Sequence, residues 1–273
     1  ILTKKLIFGA SGLVGNSLYK YLGKKKNYVF FSNKDKKFNQ INLDRKIPQK
    51  YIENKQVDIY FFSSPYFLKK NHKIQVFEKE LQWLKKVINL YNINKFIYLS
   101  SPSIFYQKSQ IGKIKKTCEN FIIRSNKIKY YQIWRPYNLV GKNKYISDHF
   151  HNTALKEIFF KKKNSFEFYG SSEDIRGYSD VDDFVRVLSR HSNKDKSFIM
   201  NYGNTDEITT FEVIKLYIKA LKEKKNRIFY PIFKGKKKNK SIIKKGKNSI
   251  FSKKSSKTVL NNYLRILLNE KKM

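Results

Sequence analysis

The sequence predicts an α/β protein with a doubly wound parallel sheet and a smaller carboxyl-terminal lobe. Three observations predict it. Short apolar runs alternate with segments of helical spacing through the first half of the chain, as strands buried on both faces do. The first run passes through a glycine-spaced turn directly into a helix. Past residue 141 the alternation weakens, which marks a change of architecture. A sheet of this kind binds ligands at the carboxyl ends of its strands.

The elements follow in order. "KKLIFGA" (4–10) is a short apolar run ending in glycine and reads as a buried strand. "VGNSLYKYLGK" (14–24) has helical spacing with a glycine near its end. "YVFFS" (28–32) and "VDIYFFSS" (57–64) are strands, and "FEKELQWLKKVINLYN" (77–92) is an amphipathic helix. "KFIYLSS" (95–101) is a strand, 109–125 a helix and "KYYQIWRP" (129–136) a strand. Beyond them, "ALKEIFFKKKN" reads as a helix, "SFEFYG" as a short strand, 209–225 as an amphipathic helix and "KTVLNNYLRILLNEKK" as a last helix. The expected division is a dinucleotide-type domain over 1–145. A mixed region follows over 146–273, holding a smaller lobe interleaved with the first domain and a lysine-rich stretch at 222–257. No internal repeat is visible.

With 273 residues, the chain is ample for a buried core, and 40% hydrophobic residues exclude a disordered composition. No apolar run approaches the ~18 residues of a membrane span. "KKLIFGASGLVG" reads as a strand and turn rather than a signal peptide, and the single cysteine, Cys118, fits a reducing cytoplasm. Cys118 is expected to be packed rather than reactive. The formal net charge is +38, from 59 Lys+Arg against 21 Asp+Glu. Only eight of the basic residues are Arg, only three residues are Ala, and the lysines are scattered. This pattern accords with an AT-rich genome and solvated faces. An anionic partner is the competing reading, although Arg would serve phosphate recognition better.

"LIFGASGLVGNSL" sets Gly9, Gly12 and Gly15 between the first strand and the first helix. Glycine permits the tight turn and lets backbone N–H groups approach a pyrophosphate, and the helix N-terminus adds a favourable dipole. The candidate cradle is Gly9, Ser11, Gly12, Leu13, Val14 and Gly15. At the end of the second strand stand Ser32, Asn33 and Lys34, with the first acid only at Asp35. A strand end without an acid favours NADP(H) over NAD(H), because an acid there would read a free 2′-hydroxyl.

These motifs, in this order over residues 4 to 210, resemble the extended short-chain dehydrogenase/reductase family, the NAD-dependent epimerase/dehydratase group. "INLD" (41–44) is similar to its adenine-side segment, which implies Asp44 as a contact. "YFFSSPYF" resembles the strand end along the cofactor, with Ser63 and Ser64. "FIYLSSPSIF" resembles the strand that presents the active-site serine, which would be Ser101. "IWRPYNLVG" resembles the loop flanking the nicotinamide, with Pro136 on the cofactor side and Asn138 on the substrate side. "FYGSSEDIRGYSDVDDFVRVL" resembles a substrate-lobe segment in which Arg176 would face the phosphates of a sugar nucleotide.

The family's catalytic helix carries Y-x-x-x-K. "IGKIKKTCE" fits it with Lys115 as the lysine and Glu119 four residues on, but the tyrosine position holds Ile111. In that chemistry a Tyr hydroxyl moves the proton as hydride moves, Lys⁺ lowers the Tyr pKa and holds the ribose, and Ser orients the substrate oxygen. Isoleucine does none of this. The connection from Ser101 to Ile111 is also shorter than the family's usual loop. Tyr51/Lys55, Tyr66/Lys70 and Tyr91/Lys95 share the spacing but precede the serine strand, as chance predicts in a chain with 19 Tyr. Tyr106, just past the serine, is the better substitute acid. His149 and His151, two apart, do not share a helix face, so no metal pair is expected.

The resemblance implies a cytoplasmic NAD(P)-binding protein acting on a nucleotide sugar by epimerisation, dehydration or reduction, for surface polysaccharide. A homodimer is compatible with this reading. A catalytically impaired relative serving as a cofactor sensor or partner protein is the alternative, and an RNA-binding relative a third. No aromatic-basic RNA motif is present, so nucleic acid is not the expected partner.

Overall fold

The computed structural model describes residues 3–23, 25–52, 55–65, 74–106, 109–142, 164–168, 170–225, 228–235, 239–243 and 246–269. The first half runs β1 (Lys4–Phe8), α1 (Leu13–Leu22), β2 (Tyr28–Ser32), β3 (Asn39–Gln40), β4 (Val57–Phe61), α2 (Ile74–Leu90), β5 (Ile93–Leu99), α3 (Gln110–Arg124) and β6 (Ile128–Pro136). Then come β7 (Leu139–Val140), β8 (Ser165–Phe168), β9 (Ile175–Arg176), β10 (Ser179–Asp180), α4 (Val181–Ser192), β11 (Phe198–Gly203) and β12 (Ile208–Thr209). The chain ends with α5 (Thr210–Lys225), β13 (Tyr230–Phe233), β14 (Lys240–Ser241), β15 (Ser249–Phe251) and α6 (Ser256–Asn269).

The fold is α/β and Rossmann-like. Its main sheet has eight strands in the order β15-β11-β6-β5-β4-β1-β2-β3. The pairs β1–β2, β1–β4, β4–β5 and β5–β6 are all parallel, with α1, α2 and α3 on the chain between successive strands. Every residue of β4 is buried, as a central strand covered on both faces must be. Register aligns the strand ends: Phe8 pairs with Phe31 and with Phe61, Phe61 with Tyr98, and Leu99 with Trp134. Gly9, Phe62 and Ser100 therefore follow the strands along one edge, next to Arg135 near the end of β6.

Two compact units divide the chain. The first is Ile1–Pro136 with Phe184–Asn201, and the second is Tyr137–Asp183 with Tyr202–Met273. Aromatic residues fill the first unit's core where an alanine-rich chain would use small ones. Phe8 stacks on Phe31 with centroids 5.1 Å apart, and Phe61 on Phe96 at 6.0 Å. Trp134 meets Phe184, His191 and Phe198 edge-on. The second unit packs α5 and α6 around Val213, Tyr217, Leu221, Leu260 and Tyr263, with short strand pairs beside them.

The predicted strand over 57–64 stops at Phe61, so Ser63 and Ser64 stand on the connection beyond it. Sequence spacing did not single out α4 or β11, both flanked by polar residues. The expected helix "ALKEIFFKKKN" lies outside the described residues.

Candidate functional site

The turn after β1 is built by what its glycines lack. Gly9 has φ +92°, and a Cβ there would lie 2.7 Å from the Phe62 carbonyl carbon and the Ser63 nitrogen. A Cβ on Gly15 would lie 2.3 Å from the Gly9 oxygen, so α1 seats directly on the turn. Gly12 is the N-cap of α1, with φ −69° and ψ 170° and no side-chain cap, and its N–H donates to Gly9 O at 3.0 Å. The first N–H groups of a helix, here on Leu13, Val14 and Gly15, have no carbonyl within it to bond. The first turn carries no acid. This is the geometry that receives a pyrophosphate, with the positive end of the dipole bare.

Beside it the Ser32 hydroxyl donates to Ser11 Oγ at 2.8 Å and accepts from the N–H groups of Lys34 and Asp35. Asn33 and Lys34 are exposed, while Asp35 is buried and accepts from Lys37 N. The first acid after β2 is thus turned into the fold, and a lysine stands in front of it. Asp44 is held by Trp83 Nε1 at 2.9 Å and by Lys79 Nζ at 3.1 Å. Burial pushes its carboxyl up, but those hydrogen bonds and the charges of Lys79 and Lys86 outweigh burial and hold it below the usual value. Ser63 and Ser64 are half-buried, and Ser64 Oγ has no hydrogen-bond partner among the described residues.

The serine and the helix after β5 lie close together. Ser101 caps a 3-10 turn, Pro102–Phe105, its Oγ accepting from Ser103 N at 3.2 Å. Tyr106 follows the turn and is exposed. Ser109 caps α3, accepting from Gly112 N at 3.0 Å. A Cβ on Gly112 would lie 2.1 Å from Ser103 O, so α3 rests on the 3-10 turn. That contact packs the short connection between Ser101 and α3. Ile111 is half-buried at the first turn of α3.

Lys115 points inward. Its Nζ donates to Glu80 Oε1 at 2.6 Å and to Leu99 O at 2.9 Å, and lies 4.9 Å over the Tyr98 ring. The Tyr98 hydroxyl donates to the same Glu80 oxygen at 2.8 Å. Glu80 is a group the sequence reading missed. It was legible as an acid in line with the buried residues Leu84, Val87, Ile88 and Tyr91 of the same helical stripe and the residue after it. Glu119 is taken by Arg135, through Nε at 2.9 Å, and by the hydroxyl of Ser100. Cys118 is fully buried, and burial, helped by the Glu80 charge, pushes its thiol up to about 12. A thiol so protonated packs and does not attack.

Of the other tyrosine–lysine pairs, Tyr51, Tyr91 and Lys95 serve the scaffold. Tyr91 donates to Tyr51 O at 2.9 Å, and Lys95 bonds Ser192 O and Asp195. Tyr51 stacks edge-on against Phe31, and Lys55 is exposed. Tyr66/Lys70, His149 and His151 lie outside the described residues. Among the described residues no cluster of His, Cys, Asp or Glu fits a metal, and no helix is long and apolar enough to cross a membrane.

Pro136 closes β6 in the first unit. In the second unit Asn138 has φ +38°, and its amide donates to Gly177 O at 3.0 Å and Ser241 O at 2.9 Å. It ties three segments together. Arg176 lies 3.9 Å from Asp174, whose other oxygen accepts from Asn239 N.

No protein-family model and no curated protein sequence matches this chain. Solved structures do. UDP-N-acetylglucosamine 4-epimerase from Bacillus cereus superposes with a TM-score of 0.73 at 14% identity, covering 100% of this chain and 99% of that one. UDP-glucuronic acid 4-epimerase from the same organism, a variant holding UDP-4-deoxy-4-fluoro-glucuronic acid and NAD, gives 0.72 at 17% identity, covering 97% and 100%. Helicobacter pylori ADP-L-glycero-D-manno-heptose-6-epimerase gives 0.71 at 15% identity, covering 98% and 96%. At such identities the likeness is one of fold, and these neighbours are nucleotide-sugar epimerases.

Proposed function

We propose that this chain is an NAD(P)-binding protein of the extended short-chain dehydrogenase/reductase type that takes a nucleotide sugar. It acts as an epimerase, dehydratase or reductase in surface polysaccharide synthesis. The observation that carries the reading is Gly9. Its positive φ and the 2.7 Å approach of Phe62 and Ser63 leave no room for any side chain, beside a helix N-terminus free of acids. The dinucleotide would lie on Gly9, Ser11, Gly12, Leu13, Val14 and Gly15. Its adenosine would reach Ser32, Asn33, Lys34 and Asp44, and its nicotinamide end Ser63, Ser64, Ser101 and Pro136. Asn138 and Arg176 would meet the sugar nucleotide. The exposed Lys34 favours NADP(H). A ligand that binds the native state raises its melting temperature. NADPH or NADH at a hundredfold its Kd should therefore raise Tm by several degrees, and a flat response to both sinks the reading.

A second reading is favoured by Ile111 and by the inward Lys115: the cofactor is held without redox turnover, as in a sensor or partner protein. The two separate on one measurement. Oxidation of NADPH driven by a nucleotide-sugar ketone, and lost in Tyr106→Phe, supports catalysis with Tyr106 as the acid. Binding with no hydride transferred to any such ketone supports the second reading.

A further inference from the structure

Three observations converge on one side chain. Lys115 stands at the lysine position of the Y-x-x-x-K pattern, yet only 6% of it is exposed and its Nζ faces Glu80, which is 0% exposed. Glu80 Oε1 takes both Lys115 Nζ and the Tyr98 hydroxyl. Ile111 lies four residues before Lys115 and on the same helix face, where the lysine's field would otherwise act on a phenol. Two buried groups of opposite charge offset each other's desolvation, and removing either leaves the other without its partner. If Lys115 swung outward to a ribose, Glu80 Oε1 would keep only the Tyr98 hydroxyl, and its Oε2 has no hydrogen-bond partner among the described residues.

We propose that Glu80 is a positioning residue that fixes Lys115 as an interior counter-ion and withholds its ammonium from the cofactor. The dinucleotide on the glycine turn is then a ligand that Lys115 neither orients nor activates. For its ligand this rests on the function proposed above; for the ion pair it does not.

The test combines urea unfolding with NADPH titration followed by nicotinamide fluorescence. Lys115→Met and Glu80→Leu should each lower the unfolding midpoint. The double variant should recover most of that loss, because a pair of apolar side chains can replace a buried ion pair while one unpaired ion cannot stand. NADPH affinity of the double variant should stay within about twofold of the parent. Glu80→Gln keeps the shape and removes the charge, so the freed ammonium should tighten NADPH about threefold or more through its phosphate and ribose oxygens. The proposal is overturned by a Lys115→Met chain as stable as the parent, or by a double variant that folds well but binds NADPH tenfold more weakly. Unchanged NADPH affinity in Glu80→Gln overturns it too. If the parent binds neither cofactor, the proposed function falls, and the stability of the three variants still decides whether Glu80 and Lys115 are partners.

Discussion

Arg135 grips both carboxylate oxygens of Glu119, through Nε at 2.9 Å and Nη2 at 2.5 Å. Glu119 is almost wholly buried and also takes the Ser100 hydroxyl. The grip joins α3 to β6 just where β5 and β6 end, so it braces the strand edge on which the candidate site stands. Arg135→Met would leave a buried carboxylate without its cation. Breaking such a pair destabilises by about 3–5 kcal/mol. Urea denaturation should show that loss, with Ser100→Ala losing only about 1 kcal/mol by the lesser worth of one hydrogen bond. Equal effects of the two substitutions would mean that the charge pairing is not what holds this corner.

Gly12 offers a substitution whose two effects have opposite signs. Its backbone is extended and suits any residue, and its nearest obstacle to a Cβ is Gly9 O at 3.3 Å. An aspartate there would cap the bare N-terminus of α1 and interact well with its dipole, worth about 1 kcal/mol. The same carboxylate would occupy the place of the pyrophosphate. Gly12→Asp should therefore hold or raise Tm while weakening NADPH binding by tenfold or more. A variant that binds NADPH as well as the parent would show that the phosphates lie elsewhere.

How far the sequence reveals these features depends on how each is encoded. A turn that excludes Cβ atoms at Gly9 and Gly15 demands glycine there, so the glycine-spaced turn was legible at once. Strands β1, β2, β4, β5 and β6 were legible because each is a short apolar run, and β2 is observed with its expected bounds, Tyr28–Ser32. Lys115 was legible as a position on α3, but its direction was not. Its partner Glu80 lies 35 residues earlier, on a helix where acids ordinarily face water. The residues at which the chain passes between the units are equally silent. The chain returns to the first unit for Phe184–Asn201, and that return depends on Trp134 meeting Phe184 and Phe198 in space. No local pattern announces such a contact.

Cofactor preference should turn on one exposed lysine. Lys34 follows Ser32 where the chain leaves β2, and the nearest acid, Asp35, is buried. One unit charge near the surface is worth on the order of 1 kcal/mol at contact. Lys34→Glu should weaken NADPH about fivefold or more and leave NADH within about twofold. The contrast should shrink in high salt, because the site is solvated. Equal losses for both cofactors would remove Lys34 from the 2′-phosphate.

Asp44 sets the acid behaviour of the segment between β3 and β4. Burial alone would raise its carboxyl, but Trp83 Nε1 and Lys79 Nζ, aided by Lys86, lower it below the ordinary value. A depressed folded pKa means that folding favours the ionised form. The stabilisation is therefore complete above the unfolded value of about 3.9 and fades as pH falls through the lower folded one. Asp44 and Lys79 are both more than two-fifths exposed, so solvent screening limits the effect to under about 1 kcal/mol. Comparing Asp44→Asn with the parent by urea midpoint should give a constant small deficit from pH 5 to 7 that closes below about pH 4. A deficit that widened in acid would mean that the carboxyl is stabilised in its protonated form. The hydrogen bond from Trp83 would then have the wrong sign, because an indole N–H can only donate and so favours the carboxylate.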